Sequence, residues 1–141
     1  MVGLIVDIED SNHCRRGIVP VLRRSVRVLI VEEVPATALL LEGMLAELGF
    51  EEIHIAYDPG AARDAMGSIS PGLAILDISM GRESMLLLAE RLKARNVAVV
   101  FSSGEAVYDM APVLSGHPLI PKPLDMRMLN AALRNLGFEA N

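Results

Sequence analysis

The stretch PGLAILDISMG, residues 71–81, decides the fold of this 141-residue chain. Its apolar run is short, has Pro-Gly before it and Gly after it, and ends in a carboxylate, Asp77. A short run without polar alternation is typical of a strand that is covered on both faces, as in a parallel sheet. Open α/β sheets bind their ligands at the carboxyl ends of such strands. The stretch therefore predicts a buried strand with a functional acid at its end.

Other segments of the chain alternate between strand-like and helix-like patterns. The predicted strands are residues 26–31, 52–57, 73–77, 97–102 and 117–120. Helical periodicity follows Pro35 as far as residue 48 and recurs in residues 61–66, 83–93, 107–114 and 126–136. Strands that alternate with helices predict an α/β fold with a doubly wound, five-stranded parallel sheet.

Composition narrows the class of protein. The chain has 18 acidic and 13 basic residues, a net charge of −5, and no basic block, which disfavours direct binding to nucleic acid. Its single cysteine excludes an intrachain disulfide, and no apolar stretch is long enough to cross a membrane. The first residues include Asp7, Glu9 and Asp10, where a secretory signal requires a basic start. We therefore expect a cytoplasmic protein with one globular domain.

Residues 1–25 precede the alternating pattern. They carry charges of both signs and include the Arg-containing run CRRGIVPVLRR. The sequence leaves three alternatives open: a flexible arm, a strand or helix added to the domain, or an upstream start choice. We accordingly divide the chain into an N-terminal extension of unknown structure, residues 1–25, and a domain of residues 26–141.

Polar side chains stand at the carboxyl ends of four of the predicted strands. They are Glu32 and Glu33 at the end of the first strand, Asp77 at the end of the third, Ser102 and Ser103 at the end of the fourth, and Lys122 shortly after the fifth. Parallel strands bring these ends to one edge of the sheet. Three carboxylates repel one another and need a cation, and oxygen ligands suit Mg²⁺. A carboxylate nucleophile, a metal ion and a fixed lysine are the groups that phosphoryl transfer to an aspartate requires.

In these segments the sequence resembles the receiver domain of response regulators, the CheY-like phosphoacceptor of bacterial two-component signalling. The resemblance rests on VLIVEEVP, LAILDISM, VVFSSGE and IPKPLD, in that order, and covers about residues 26–136. The segments ALLLEGMLAELGF and LDISMGRES are similar to those of single-domain receivers. The resemblance implies a flavodoxin-like (βα)5 fold, Mg²⁺ as cofactor, and a histidine kinase or phosphotransfer protein as the phosphoryl donor.

The resemblance also implies roles for individual side chains in catalysis. It makes Asp77 the phosphoacceptor, Ser103 the switch hydroxyl and Lys122 the lysine that pairs with the phosphoryl oxygens. Glu105 lies two residues after Ser103, a position beside the path of the water that removes the phosphoryl group. It is therefore a candidate for setting the lifetime of the phosphorylated state. Without the resemblance, Lys122 would be interpreted as a solvated surface lysine.

The metal site implied by the resemblance consists of Glu32, Glu33, Asp77 and the backbone carbonyl of Ser79. The family usually has aspartate at the position of Glu33, and the additional methylene changes the reach of the carboxylate. Both glutamates are also compatible with a simpler role as acids near the positive end of the first helix. Leu119 stands where many receivers carry a Tyr or Phe that swings inward on activation, so we expect no coupling through such a ring.

Two functions agree with these features. The first is a phosphoacceptor signalling domain, not an enzyme, that is phosphorylated on Asp77 within a two-component phosphorelay. Because only GFEAN follows residue 136, we expect no effector domain and an output by protein binding or as a phosphate sink. The alternative is a pseudo-receiver, an interaction module independent of phosphorylation, which the departures at Glu33 and Leu119 keep open. The downstream target and the formation of a homodimer are left undetermined.

Overall fold

The computed structural model describes residues 20–104 and 116–140. Its strands are β1 (Val21–Leu22), β2 (Arg27–Val31), β3 (Glu52–Ala56), β4 (Leu73–Asp77), β5 (Ala98–Ser103), β6 (Leu119–Pro121) and β7 (Phe138–Glu139). Helices in these ranges are α1 (Pro35–Glu47), α2 (Pro59–Ile69), α3 (Arg82–Ala94) and α4 (Met126–Asn135), with 3-10 turns at Arg23–Ser25 and Ile78–Met80. The helix predicted over residues 107–114 lies outside the described residues.

Five parallel strands form the main sheet, in the order β3-β2-β4-β5-β6. β4 lies at its centre, and all five residues of this strand are buried, including Asp77. The pairing of Val31 with Leu76 and of Asp77 with Ser102 aligns the carboxyl ends of β2, β4 and β5. This arrangement confirms the predicted doubly wound α/β fold and explains why an uninterrupted apolar run ends in a carboxylate.

Helices cover both faces of the sheet and divide the core into two layers. On one face, α2 and α3 pack against β-strand residues such as Leu29, Leu76 and Phe101. On the other face, α1 and α4 pack against Val28, Ile75 and other buried strand residues. Because both faces of the central strands are covered, their sequences lack the polar alternation of a half-exposed sheet. None of the described helices is long and apolar enough to span a membrane.

The segment that immediately precedes the main sheet packs onto the domain. β1 pairs in parallel with β7, so the two ends of the described chain form a second, two-stranded sheet. Arg23 is only 2% exposed; its Nε and Nη2 atoms each donate to the Phe138 carbonyl at 3.2 Å, and Nη1 donates to the Leu48 carbonyl at 2.9 Å. Residues 21–25, which the sequence assigned to the N-terminal extension, therefore contact the domain of residues 26–141. Residues 1–19 lie outside the described residues.

Candidate functional site

The candidate site lies at the carboxyl edge of the main sheet. Asp77 ends β4, Ser103 ends β5, Glu32 directly follows β2, and Lys122 directly follows β6. The structure brings the side chains of Glu32, Asp77 and Lys122 into direct contact. These residues come from widely separated parts of the sequence, and the parallel register of the strands places them together.

The Asp77 carboxylate is almost completely buried, with 1% of the residue exposed. Its Oδ1 atom accepts hydrogen bonds from the Ser79 amide at 3.0 Å and from Ser79 Oγ at 2.6 Å. Its Oδ2 atom accepts a hydrogen bond from Lys122 Nζ at 3.1 Å. Both carboxylate oxygens are therefore held in fixed directions by donors.

Lys122 links the two buried acids of the site. Its ammonium donates to Glu32 Oε1 at 2.8 Å as well as to Asp77 Oδ2, and its side chain is 22% exposed. Its backbone amide donates to the Ser103 carbonyl at 2.8 Å, which ties the residue to the end of β5. The Lys122–Pro123 peptide is cis. Lys122 is thus a positioned cation of the site and not a freely solvated lysine.

For both Asp77 and Lys122, burial and hydrogen bonding shift the pKa in opposite directions. Burial favours the neutral carboxyl of Asp77, but the hydrogen bonds from Ser79 and Lys122 outweigh it and lower its pKa below the ordinary value of 3.8. Burial also disfavours the charged ammonium of Lys122, but its hydrogen bonds with Glu32 and Asp77 raise its pKa above 10.5. Asp77 is therefore a carboxylate, the form that can act as a nucleophile, at neutral pH.

Glu32 is the second buried acid of the site, with 2% of the residue exposed. Its Oε1 atom accepts from Lys122, and its Oε2 atom accepts from the Val34 amide at 3.1 Å. Because Mg²⁺ is commonly held by one or two carboxylates together with water and phosphate oxygens, Glu32 and Asp77 have the donor chemistry to bind it.

Glu33, by contrast, is exposed. Among the described residues, no three Asp, Glu, His or Cys side chains are grouped so that they could hold a metal ion, so Glu33 does not join Glu32 and Asp77 in such a cluster. Ser79, which the sequence implicated only through its backbone carbonyl, donates a hydrogen bond to Asp77 through its hydroxyl. An Asp followed two residues later by Ser after a strand is a pattern that favours this local hydrogen bond.

The remaining predicted residues have different positions in the structure. Ser103 is completely buried at the end of β5. Glu105 lies outside the described residues. Leu119 is partly buried and has no aromatic ring. An aromatic contact is made two residues earlier, where the imidazole of His117 packs edge-on against the ring of Phe101, with ring centroids 5.2 Å apart.

Comparison with known proteins agrees with this geometry. The family profile of the response regulator receiver domain matches residues 28–134. A protein-glutamate methylesterase/protein-glutamine glutaminase 4 from Geobacter metallireducens is 36% identical over 81 residues, which are 56% of this chain and 23% of that protein. The chain therefore spans less than a quarter of the length of this curated relative.

Solved receiver structures also have the same fold. The signal receiver domain of the DNA-binding response regulator merR from Colwellia psychrerythraea 34H has a TM-score of 0.69 at 26% identity, over 79% of this chain and 97% of that chain. The BeF3-activated SdrG of Pseudomonas melonis Fr1 has a TM-score of 0.69 at 28% identity, over 79% and 95% of the two chains. With the profile match over most of its length, the chain belongs to the response regulator receiver domain family.

Proposed function

We propose that this receiver domain accepts a phosphoryl group on Asp77 from a histidine kinase or phosphotransfer protein. The observation that carries the proposal is the contact between a buried, ionised Asp77 and the Lys122 ammonium at 3.1 Å. In the transfer, an Asp77 carboxylate oxygen forms a bond to phosphorus. The bond between phosphorus and the donor's histidine nitrogen breaks, and its electron pair remains with the imidazole.

The residues around Asp77 have separate roles in this proposal. Lys122 neutralises charge on the phosphoryl oxygens, because its ammonium already reaches the nucleophile. Ser79 orients the carboxylate through the hydrogen bonds from its amide and hydroxyl. Ser103, at the end of the neighbouring strand, supplies the hydroxyl that responds to phosphorylation. Catalysis of this kind is mostly positioning and electrostatic stabilisation, which buried and hydrogen-bonded side chains provide.

Mg²⁺ is the cofactor that we propose for the reaction. When bound, it supplies positive charge that neutralises the oxygens of the transferred phosphoryl group. Glu32 and Asp77 would hold the ion with the Ser79 carbonyl, and Glu33 would have to turn toward the site to contribute. Glu32 is the anchor of this set because both of its oxygens are already positioned by hydrogen bonds.

The output of the domain in this proposal is binding to a separate protein or removal of phosphate from a relay. Neither requires chemistry on a further substrate, so the domain acts as a signalling component and not as a metabolic enzyme. The pseudo-receiver alternative keeps the fold and the binding role but needs no phosphorylation. The exposed position of Glu33 is the observation that favours it.

Intact-mass measurement before and after incubation with acetyl phosphate and Mg²⁺ tests the proposal. We expect the wild-type chain to gain one phosphoryl group and Asp77→Asn to gain none, because an amide is not a nucleophile. Asp58→Asn is the matched control, since Asp58 caps α2 at an exposed position and should not change labelling. Equal labelling of wild type and Asp77→Asn would disprove the assignment, and an unlabelled wild type would favour the pseudo-receiver alternative.

A further inference from the structure

A groove between α2 and α3 lies outside the Asp77 site. One of its two adjoining cavities has a volume of about 410 Å³ and is lined by Arg63, Met66, Arg91, Ala94 and Arg95. The other has a volume of about 160 Å³, shares Arg63 and Arg91, and is also lined by Ser84, Leu87 and Leu88. We call the two cavities together the α2–α3 groove. None of the residues of the Asp77 site lines it.

The residues that line the α2–α3 groove give it a positive charge. Arg63 on α2 and Arg91 and Arg95 on or directly after α3 line it, and neither cavity is lined by an acidic residue. Arg63 and Arg91 form no ion pair within the described part of the chain, and Arg95 donates only to the Met66 carbonyl, at 3.3 Å. Arg95, directly after α3, is also four residues from Arg91, a spacing at which like charges repel.

An exposed apolar side chain lies at one end of the same groove. Leu87 is 57% exposed and stands one turn before Arg91, beside the buried Leu88. From Ser84 to Arg95 the groove follows α3 for about 16 Å, calculated from the helical rise per residue. An extended peptide of about five residues covers that length. The groove therefore combines three cations and one apolar contact over the length of a short peptide.

We propose that the α2–α3 groove binds a short acidic peptide segment of a partner protein. Carboxylates of the segment pair with Arg63, Arg91 and Arg95, and one of its apolar side chains packs on Leu87. Charge complementarity favours this occupant, because a chain with a net charge of −5 presents three arginines together here that form no ion pair with any described residue. A nucleic acid is the poorer match, since the groove contains no aromatic side chain on which a base could stack.

Fluorescence anisotropy with a labelled peptide of about eight residues, rich in glutamate and containing two leucines, tests the proposal on the full chain. We expect saturable binding that weakens with added salt, because the contacts are mostly ionic. Arg63→Gln combined with Arg91→Gln should weaken binding by roughly tenfold, the effect of losing two partly exposed ion pairs. Leu87→Ser should also weaken binding several-fold. Amide chemical shifts of the labelled protein should change in α2 and α3.

Lys93→Gln is the matched control, since Lys93 lies on α3 but does not line the groove. If it weakens binding as much as the two arginine changes do, the attraction is general electrostatics and the proposal fails. Equal binding of a polyglutamate peptide without leucine, or of single-stranded DNA, would also overturn it.

The chain's own acidic segment, residues 4–10 (LIVDIED), is the competing occupant. If replacing Asp7, Glu9 and Asp10 by their amides markedly tightens peptide binding in the full chain, that segment occupies the groove and the partner proposal is wrong. Unchanged affinity in this variant supports a partner. Because Asp77→Asn should bind the peptide like the wild type, failure here is distinguishable from failure of the phosphorylation proposal.

Discussion

Lys122 Nζ donates a 2.8 Å hydrogen bond to Glu32 Oε1 across 90 residues of sequence. The same ammonium contacts Asp77 Oδ2, so one partly exposed cation compensates two carboxylates that are almost completely buried. Removing one partner of a buried ion pair lowers the free energy of unfolding by more than the intact pair contributes to it, because the remaining buried charge is left without compensation. The contact therefore links the stability of the fold to the chemistry of the site.

Lys122→Met tests this link. We expect the free energy of unfolding at pH 7 to fall by about 3 kcal/mol, as for other buried ion pairs that lose one partner. Urea denaturation measures the change. In a Glu32→Gln background the same substitution should lower the free energy of unfolding by clearly less, because one of the two carboxylates that lose their partner has been removed. An equal loss in both backgrounds would show that Lys122 contributes through packing of its alkyl chain instead.

The shifted pKa values of Asp77 and Lys122 predict how stability changes with pH. The folded pKa of Asp77 lies below 3.8, so its stabilisation is complete above that value and is lost as the pH falls through the folded pKa. The folded pKa of Lys122 lies above 10.5, so its stabilisation is complete below 10.5 and is lost as the pH rises through the folded pKa.

Urea denaturation from about pH 7 down to about pH 3 measures the acid side of this prediction. The wild type should lose stability more steeply below about pH 4 than Asp77→Asn, which has no carboxyl at this position. Since other acids titrate in both proteins, the difference between the two curves is the relevant quantity. Parallel curves would mean that Asp77 is not stabilised as an anion.

Glu105 is predicted to tune the lifetime of phosphorylated Asp77. Glu105→Ala should change the rate of phosphate loss, because the residue is expected beside the path of the attacking water. Initial labelling should remain nearly unchanged, since the side chain has no role in the transfer step. Decay of the phosphorylated mass over time, after removal of acetyl phosphate, is the measurement. Identical decay in wild type and variant would exclude Glu105 from the site.

The centre of the fold was predictable because local patterns determine it. The apolar run that ends at Asp77, and the polar residues after the other strands, follow directly from a sheet covered on both faces. The contact between Asp77 and Lys122 follows from the parallel order of the strands. These patterns are local in sequence, and the register of the parallel strands brings their polar residues together at one edge of the sheet.

Other features depend on contacts that no local pattern contains. Arg23 is one of several arginines in a mixed-charge segment, and nothing nearby distinguishes it from the exposed Arg24. Its burial depends on carbonyl groups of Leu48 and Phe138, the latter 115 residues away. The difference between Glu32 and Glu33 is also nonlocal. Glu32 is buried and accepts a hydrogen bond from Lys122, 90 residues away, whereas Glu33 is exposed.

Arg23 therefore provides a test of the segment before residue 26. We expect Arg23→Met to lower the free energy of unfolding by about 3 kcal/mol, because it leaves two carbonyls without their donors and removes a guanidinium 5.7 Å from the Phe50 ring centroid. Arg23→Lys should recover only part of the loss, since an ammonium lacks the planar fork that reaches both carbonyls. Arg127→Met, on the exposed side of α4, should change stability by less than about 0.5 kcal/mol.

Urea denaturation also measures the stability of the Arg23 and Arg127 variants, with the wild-type midpoint as reference. Full recovery by Arg23→Lys would show that only the positive charge matters. A loss as small as that of Arg127→Met would show that β1 and its turn contribute little to the stability of the domain.

Glu33 is the position at which the chain and its family differ most in the proposed metal site. Mg²⁺ requires near-octahedral geometry, and the Glu arm has one more torsion to order than Asp would have. We therefore expect Glu33→Asp to tighten Mg²⁺ binding and speed the labelling of Asp77. Glu33→Gln should weaken both several-fold, because it removes a charge. Both variants should keep the wild-type stability within about 0.5 kcal/mol, since the side chain is exposed.

Calorimetric titration with Mg²⁺ is the appropriate measurement, because the chain has no Trp to report binding by fluorescence. Glu51→Gln is the matched control, as it removes an equally exposed carboxylate away from the strand ends that form the site. If both Glu33 variants bind Mg²⁺ like the wild type, Glu33 is only an acid near the start of α1. If Asp binds more weakly than Glu, the site is shaped around the longer side chain, and the metal geometry implied by the family does not apply to this receiver.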